Sequence, residues 1–203
     1  MGLLGRFDIA VIGGGIVGLY TALDLALRGL SVILLERQTI GSGTSGRMHG
    51  LLHSGARYAM RDLGAAAECA AESKVISEVA PHAVEDTGGY FVAVEREDEG
   101  FLEEFLGGLR RAGIEHRVVD PGEAVEEEPN LSRTIRIAVE VPDRVVRALD
   151  MMGSIAISAY AEGARIAEYA EAVGFRISGG AVDEVVVRDG ISGTTRAIRV
   201  GAV

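Results

Sequence analysis

Residues 7–12 (FDIAVI) are a short, nearly continuous apolar run, the pattern of a strand buried inside a parallel sheet. Three glycines follow. Apolar positions then recur at helical spacing, which predicts a helix over 16–28 with Leu19, Leu23, Ala26 and Leu27 on one face. Gly29 ends it in the usual C-terminal manner. Residues 31–35 (SVILL) repeat the buried-strand pattern and run into Glu36. Strand, helix and strand make one βαβ unit.

Beyond it the pattern changes. Residues 41–58 are rich in Gly, Ser and His without a clear period, which predicts a structured loop with some helical turn. A helix is predicted over 62–79, stopped by Pro81. Alternation predicts a strand at 89–95 and amphipathic spacing a helix at 98–112. A strand near 115–119, a short acidic helix at 121–128 and an extended stretch at 134–141 follow, the last stopped by Pro142. This strand–helix mixture over about 80–147 suits an antiparallel α+β domain. A helix at 148–162, a strand at 165–169 and strands at 173–178, 182–188 and 194–200 complete the chain. The turns at Gly179-Gly180 and Asp189-Gly190 suit a meander.

Composition narrows the function. The net charge of −10 and pI of about 4.9 leave no basic footprint, so nucleic acid is excluded as a partner. Glycine is 28 of 203 residues, and the excess gathers in 13–64, where a backbone that lies close to a ligand needs it. Cys69 is the single cysteine, which rules out an internal disulfide and reads as a small buried hydrophobe. The apolar run at 9–23 is too short to span a bilayer. With no signal peptide ahead of the first strand, the cytoplasm is the expected location.

The candidate chemistry starts at Gly13-Gly14-Gly15-Ile16-Val17-Gly18, a GxGxxG pattern lying between predicted strand and helix. Gly13 suits the tight turn, Gly15 lets backbone approach a pyrophosphate, and Gly18 lets the helix pack on the strand. The helix N-terminus, beginning at Ile16 and Val17, offers free N–H groups and partial positive charge to phosphate. Glu36 ends the second strand, where a carboxylate can accept from ribose hydroxyls and argues against a 2′-phosphate. FAD or NAD remains.

Residues 46–58, GRMHGLLHSGARY, decide between them by resemblance. This string, with GGYFVAV at 88–94 and EEEPN at 126–130, resembles the FAD-dependent glycerol-3-phosphate dehydrogenases, most closely the anaerobic type. Met48 stands where that pattern more often has Asn. Those enzymes belong to the wider D-amino-acid-oxidase-like (DAO) flavoprotein superfamily. The resemblance implies an α/β fold: a Rossmann-like FAD-binding domain at 1–80 and 148–203, with an inserted α+β substrate or cap domain at 81–147. It implies Glu36 and Arg37 beside the nucleotide, and Thr44, Ser45 and Gly46 beside the diphosphate and ribityl chain. His49, Gly50, Leu51 and Leu52 would run along the isoalloxazine ring. Arg57 and Tyr58 would face the substrate, Arg57 as a phosphate anchor, with His53 a third candidate catalytic group.

The expected activity is FAD-dependent oxidation of glycerol 3-phosphate to dihydroxyacetone phosphate. Quinone or electron-transfer subunits are the expected acceptors, which would bring the protein to the inner face of a membrane. Bland readings remain open. His49 and His53 would serve equally as structural histidines, Arg57 as a solvated cation, and Tyr58 as a core ring with a satisfied hydroxyl. Glu126–Glu128 reads as a solvated helix face and His82 and His116 as surface residues. His49 and His53 share an i,i+4 spacing, yet the glycine-rich context offers no helix and no third ligand, so no metal is expected. The resemblance also implies a truncated domain: the chain stops at Val203, before further cofactor and substrate segments, leaving the glycine unit with an open apolar edge for a partner chain or second copy to cover. The alternatives are an oxidase of 2-hydroxy or amino acids, or a non-catalytic nucleotide-binding subunit.

Overall fold

The computed structural model describes residues 5–203. Its helices are α1 (Ile16–Leu27), α2 (Leu63–Val79), α3 (Leu102–Arg111), α4 (Pro121–Glu127) and α5 (Ala148–Ala161). The first strands are β1 (Arg6–Ile12), β2 (Val32–Leu35), β3 (Leu51–Leu52), β4 (Val84–Glu85), β5 (Gly89–Ala93) and β6 (Arg117–Val119). Then come β7 (Ile137–Val141), β8 (Arg144–Val146), β9 (Arg165–Ala167), β10 (Ala170–Ser178), β11 (Ala181–Asp189) and β12 (Thr195–Ala202). Two compact units result, one of residues 1–49 with 148–203 and one of 50–147.

The first unit is a six-stranded sheet of order β10-β11-β12-β1-β2-β9. Its centre is parallel, β12, β1, β2 and β9 running alike, because α1 returns the chain across the sheet from β1 to β2. All four residues of β2 are buried, as its unbroken apolar run predicts. Helix α1 packs against α5 and the sheet, with Leu19, Ala22 and Ala26 buried; Leu27, expected inward, is exposed. On β1, β2 and the meander, Ala10, Ile33, Leu35, Val185, Val187, Ile198 and Val200 form a continuous core.

The meander is not a separate layer. Its last strand, β12, pairs antiparallel with β11 and also parallel with β1, with Arg6 opposite Arg199 and Ile9 opposite Ala202. The expected open edge beside the glycine unit is therefore corrected through Ile9, since β12 fills it. Strand β9 stops at Ala167, two residues early, because Tyr169 turns with φ of 53°, and β10 begins at Ala170 rather than 173.

The second unit holds two small antiparallel sheets, β5-β7-β6 and β3-β8-β4. Helix α3 covers one face of the former, with Leu106, Leu109 and Ile114 against Val139 and Val141. Helix α4 belongs to a second cluster of Val119, Ala124, Ile135 and Ala138, with Tyr90 beside it. The predicted helix at 98–112 begins as a 3₁₀ turn over Arg96–Phe101 before becoming α3. Residues 50–80, expected with the nucleotide domain, belong to this unit, because α2 packs on α3 and the turn at 56–58. Cys69 on α2 is half-buried rather than buried.

Candidate functional site

Residues 13–45 of the first unit build a cradle mainly from backbone. Gly13 has φ of 108°, a conformation that turns the chain off β1, and its N–H donates to the Leu35 carbonyl at 2.9 Å. A Cβ at Gly18 would overlap the Gly13 carbonyl, so only glycine lets α1 sit this close to β1. Gly15 is the residue immediately before α1, and a Cβ there would meet the Ser45 hydroxyl at 3.0 Å. That hydroxyl accepts from the Ile16 N–H at 3.1 Å, occupying one of the free donors of the helix N-terminus. Ser45 and Thr44 lie in a 3₁₀ turn, Thr44–Arg47, which also contains Gly46.

Glu36 ties the loop to the end of β2. Its Oε2 accepts from the Gly14 N–H at 2.7 Å and its Oε1 from the Gln38 N–H at 2.8 Å. An ionised carboxylate offers about four lone pairs, so two remain for hydroxyl donors. Beside it lies a cavity of about 300 Å³ lined by Ile12, Gly13, Leu35, Glu36, Arg37 and Ala170. The cavity lies at the carboxyl ends of parallel strands β1 and β2, where open α/β sheets take ligands. Glycines without room for Cβ, a helix N-terminus and an acid at the strand end fit a dinucleotide diphosphate and its ribose. Gly13, Gly15, Ile16, Gly18, Glu36 and Ser45 are thus brought together; Val17 is 77 % exposed and His49 lies at the exposed end of this unit.

In the second unit, Leu51 and Leu52 form β3 opposite Val145 and Arg144 of β8. The next step of that register brings His53 to Asp143: Nδ1 stands 3.6 Å from Oδ2. The other oxygen of Asp143 accepts from the buried Ser54 N–H at 2.7 Å. Gly55, with φ of 92°, then passes so near the Ala66 carbonyl that a Cβ would overlap it, seating the turn Ala56–Tyr58 on α2. Arg57 and Tyr58 are both exposed on that turn, the guanidinium carbon 5.5 Å from the ring centroid.

Arg57 also lines a cavity of about 320 Å³ with Arg61, Met60, Phe91, Asp98, Phe101, Leu102 and Phe105. Two cations and one carboxylate thus border an otherwise apolar space; Tyr58 and His53 are not among its lining residues. Asp143, Arg61 and Asp98 are the groups that sequence reasoning missed. Arg61 carried one usable signal, its place four residues after Arg57. Among the described residues no three His, Cys, Asp or Glu side chains stand together as a metal site.

The FAD dependent oxidoreductase (DAO) family matches residues 8–203. The chain belongs to that family. Within it, the chain is 44 % identical over 180 residues to a subunit, A1, of the anaerobic glycerol-3-phosphate dehydrogenase of Haloferax volcanii, covering 89 % of this chain and 31 % of that protein. It is 39 % identical over 196 residues to the corresponding subunit of the anaerobic glycerol-3-phosphate dehydrogenase of Escherichia coli K12, covering 97 % of this chain and 36 % of that protein. The chain therefore spans about a third of the length of these curated DAO-family relatives. Among solved structures, an L-proline dehydrogenase from P. horikoshii superposes with a TM-score of 0.79 at 25 % identity, over 97 % of this chain and 51 % of that one. The parallel sheet and glycine cradle are thus the FAD-binding fold of DAO oxidoreductases, the α/β class expected from the sequence. Among the described residues no helix is long and apolar enough to cross a membrane.

Proposed function

We propose that this chain carries the nucleotide cradle and part of the substrate domain of an FAD-dependent glycerol-3-phosphate dehydrogenase of the anaerobic type. The observation that carries this reading is the identity of 39–44 % to two proteins named for that activity, running through both compact units. FAD, when bound, supplies the acceptor for a hydride from the secondary alcohol carbon. The chain's own residues bind and orient. The N–H groups at Gly15 and Val17, at the start of α1, with the Ser45 and Thr44 hydroxyls, would hold the diphosphate, and Glu36 would accept from ribose hydroxyls. Arg37 lies at the same cavity, and Gly46, His49, Gly50, Leu51 and Leu52 form the stretch that serves the ring.

In the second unit, Arg57 anchors the phosphate of the substrate, since its planar fork matches phosphate oxygens in pairs. Arg61, on the same cavity, adds charge. Tyr58 donates a hydroxyl toward the substrate; His53, its Nε2 closed to solvent and its Nδ1 3.6 Å from Asp143 Oδ2, helps to hold the chain that leads into the Arg57 turn. Other polypeptides of the same complex take the electrons onward, directly or by way of quinone, in keeping with the naming of both relatives for one subunit of a larger enzyme. The protein is cytoplasmic and peripheral to the inner face of the membrane in this reading.

A second reading is favoured by one observation. The cavity at Arg57 is walled by Phe91, Phe101, Leu102 and Phe105, which suits an acid with an apolar body better than a small polyol. An oxidase of amino or 2-hydroxy acids would use Arg57 for the carboxylate. Anaerobic titration of the FAD-loaded protein separates the two. Bleaching of the flavin by glycerol 3-phosphate and not by L-proline or lactate supports the proposal; bleaching by the acids alone replaces it. No bleaching by either would leave the chain a nucleotide-binding part that needs a partner polypeptide.

A further inference from the structure

The loop that leaves β2 is held by the turn that follows β9. Glu36 N–H donates to the Ala167 carbonyl at 2.9 Å, Ala170 N–H to the Glu36 carbonyl at 2.8 Å, and Tyr169 N–H to the Gln38 carbonyl at 2.9 Å. The next donor two residues on, Ile40 N–H, goes to a side chain instead: Glu168 Oε1 accepts it at 2.7 Å. Tyr169 turns between these contacts with φ of 53°, a conformation costly for a residue with a side chain. Gly190 keeps it there, donating its N–H to the Tyr169 carbonyl at 2.7 Å. The loop so held, residues 36–41, grips one residue of the cradle from both ends. Glu36 Oε2 takes the Gly14 N–H at 2.7 Å, and the Gly41 N–H donates to the Gly14 carbonyl at 3.0 Å. A Cβ at Gly14 would stand 3.0 Å from the Glu36 Cβ, so the fit is close. Glu36 and Arg37 line the cavity at the strand ends; Glu168 does not.

We infer that Glu168 is a positioning residue for Glu36. By holding Ile40 it fixes the far half of the loop, which keeps the Glu36 carboxylate on the Gly14 N–H and its remaining lone pairs at the cavity. A carboxylate that accepts from a backbone N–H makes one of the stronger hydrogen bonds, and this one joins residues 128 positions apart. Without it, Tyr169 alone ties residues 38–40 to the β9–β10 turn. The Glu36 carboxylate depends on that restraint because both its oxygens are engaged with N–H groups, at Gly14 and Gln38, that move with the loop and the cradle. This inference rests on the reading of the cradle as the FAD site, so its test has one arm that needs no flavin.

That arm is residue-resolved amide hydrogen exchange of the 203-residue chain without flavin. Glu168 is exposed, so Glu168→Ala opens no cavity and the fold is expected to persist. Faster exchange is expected at Ile40, which loses its acceptor, and at Gly14, whose N–H reports whether the Glu36 carboxylate is still in place. Glu168→Gln keeps an acceptor oxygen and is expected to restore most of the protection at both. Faster exchange at Ile40 with Gly14 unchanged would overturn the inference, since Glu168 would then hold the loop without placing Glu36. The second arm is fluorescence titration with FAD. Glu168→Ala is expected to weaken FAD by roughly threefold to tenfold, the range of one hydrogen bond. Glu36→Gln offers one acceptor oxygen where two N–H groups need one each, so it already displaces the side chain. In that background Glu168→Ala is expected to cost almost nothing more, because residues that act through one another are not additive. An equal loss in both backgrounds, or full FAD affinity in Glu168→Ala, would sink the positioning role. A wild-type chain that binds no FAD would sink the cradle reading, while exchange at Gly14 still decides what Glu168 does.

Discussion

The two units build their sites in opposite ways. In the first, residues 13–45 form a cradle from backbone, with one carboxylate and one hydroxyl closing it. In the second, side chains from distant parts of the chain are brought together: His53 Nδ1 stands 3.6 Å from Asp143 Oδ2, and the Arg57 cavity draws on residues 56–61, 91–105 and 137–139. A backbone site fails when atoms are added, because the space is already taken. A side-chain site fails when atoms are removed, because the charge was the function.

The sharpest test of that contrast is Gly18→Val. Its Cβ would overlap the Gly13 carbonyl, and overpacking against backbone costs about 3 kcal/mol or more. Urea unfolding should show the loss together with loss of FAD binding. A stable protein that keeps FAD would break the steric half of the comparison. Arg57→Ala comes next. Loss of a charged, paired hydrogen bond to phosphate is worth about 2–3 kcal/mol, so kcat/KM for glycerol 3-phosphate should fall roughly a hundredfold in the loaded enzyme. Arg57→Lys should recover only part, since an ammonium is a point charge rather than a fork. Thermal stability should not move, because Arg57 is exposed.

Glu36→Gln should weaken FAD by about tenfold, the worth of one hydrogen bond to a charged acceptor, read by fluorescence titration. A larger loss accompanied by unfolding would show that Glu36 serves the Gly14 loop more than the ribose. The smallest effect concerns Tyr90, outside both sites. Its hydroxyl donates to the Glu127 carboxylate, which resists a second negative charge and pushes the phenol up to about 12. A proton held more tightly in the folded state gives stability that is present below the ordinary value near 10 and lost as pH rises toward about 12. Tyr90→Phe should therefore flatten the alkaline end of the stability curve slightly and leave the shape of the curve around neutral pH unchanged. An unaltered alkaline slope would mean that the exposed pair is fully screened.

What could be read from sequence follows the same division. The βαβ unit, α2, α4 and α5 were legible because apolar runs, helical spacing and glycine or proline stops act locally. Gly13, Gly15, Gly18 and Glu36 were legible for the same reason: their spacing along the chain is the geometry. Strands β3, β4 and β8 were not, since two or three residues carry no period. Asp143 was missed with them. It reads as one acid after a proline, and its meaning comes only from pairing with a segment about ninety residues earlier. The double use of β12, meander strand and partner of β1, was likewise invisible to local patterning. Asp98 sits in an acidic run and Arg61 offers only its place four residues after Arg57, so neither was singled out until the cavity joined them.

The central claim is that the first unit grips the nucleotide half of a flavin dinucleotide. The direct measurement is gel filtration of the purified chain after incubation with FAD or, separately, with FMN, reading flavin absorbance in the protein peak. The account predicts that FAD co-elutes and FMN does not, because Gly15, the start of α1 and Glu36 address the diphosphate and adenosine ribose that FMN lacks. A protein peak free of flavin in both runs, or one carrying FMN as well as FAD, would contradict it.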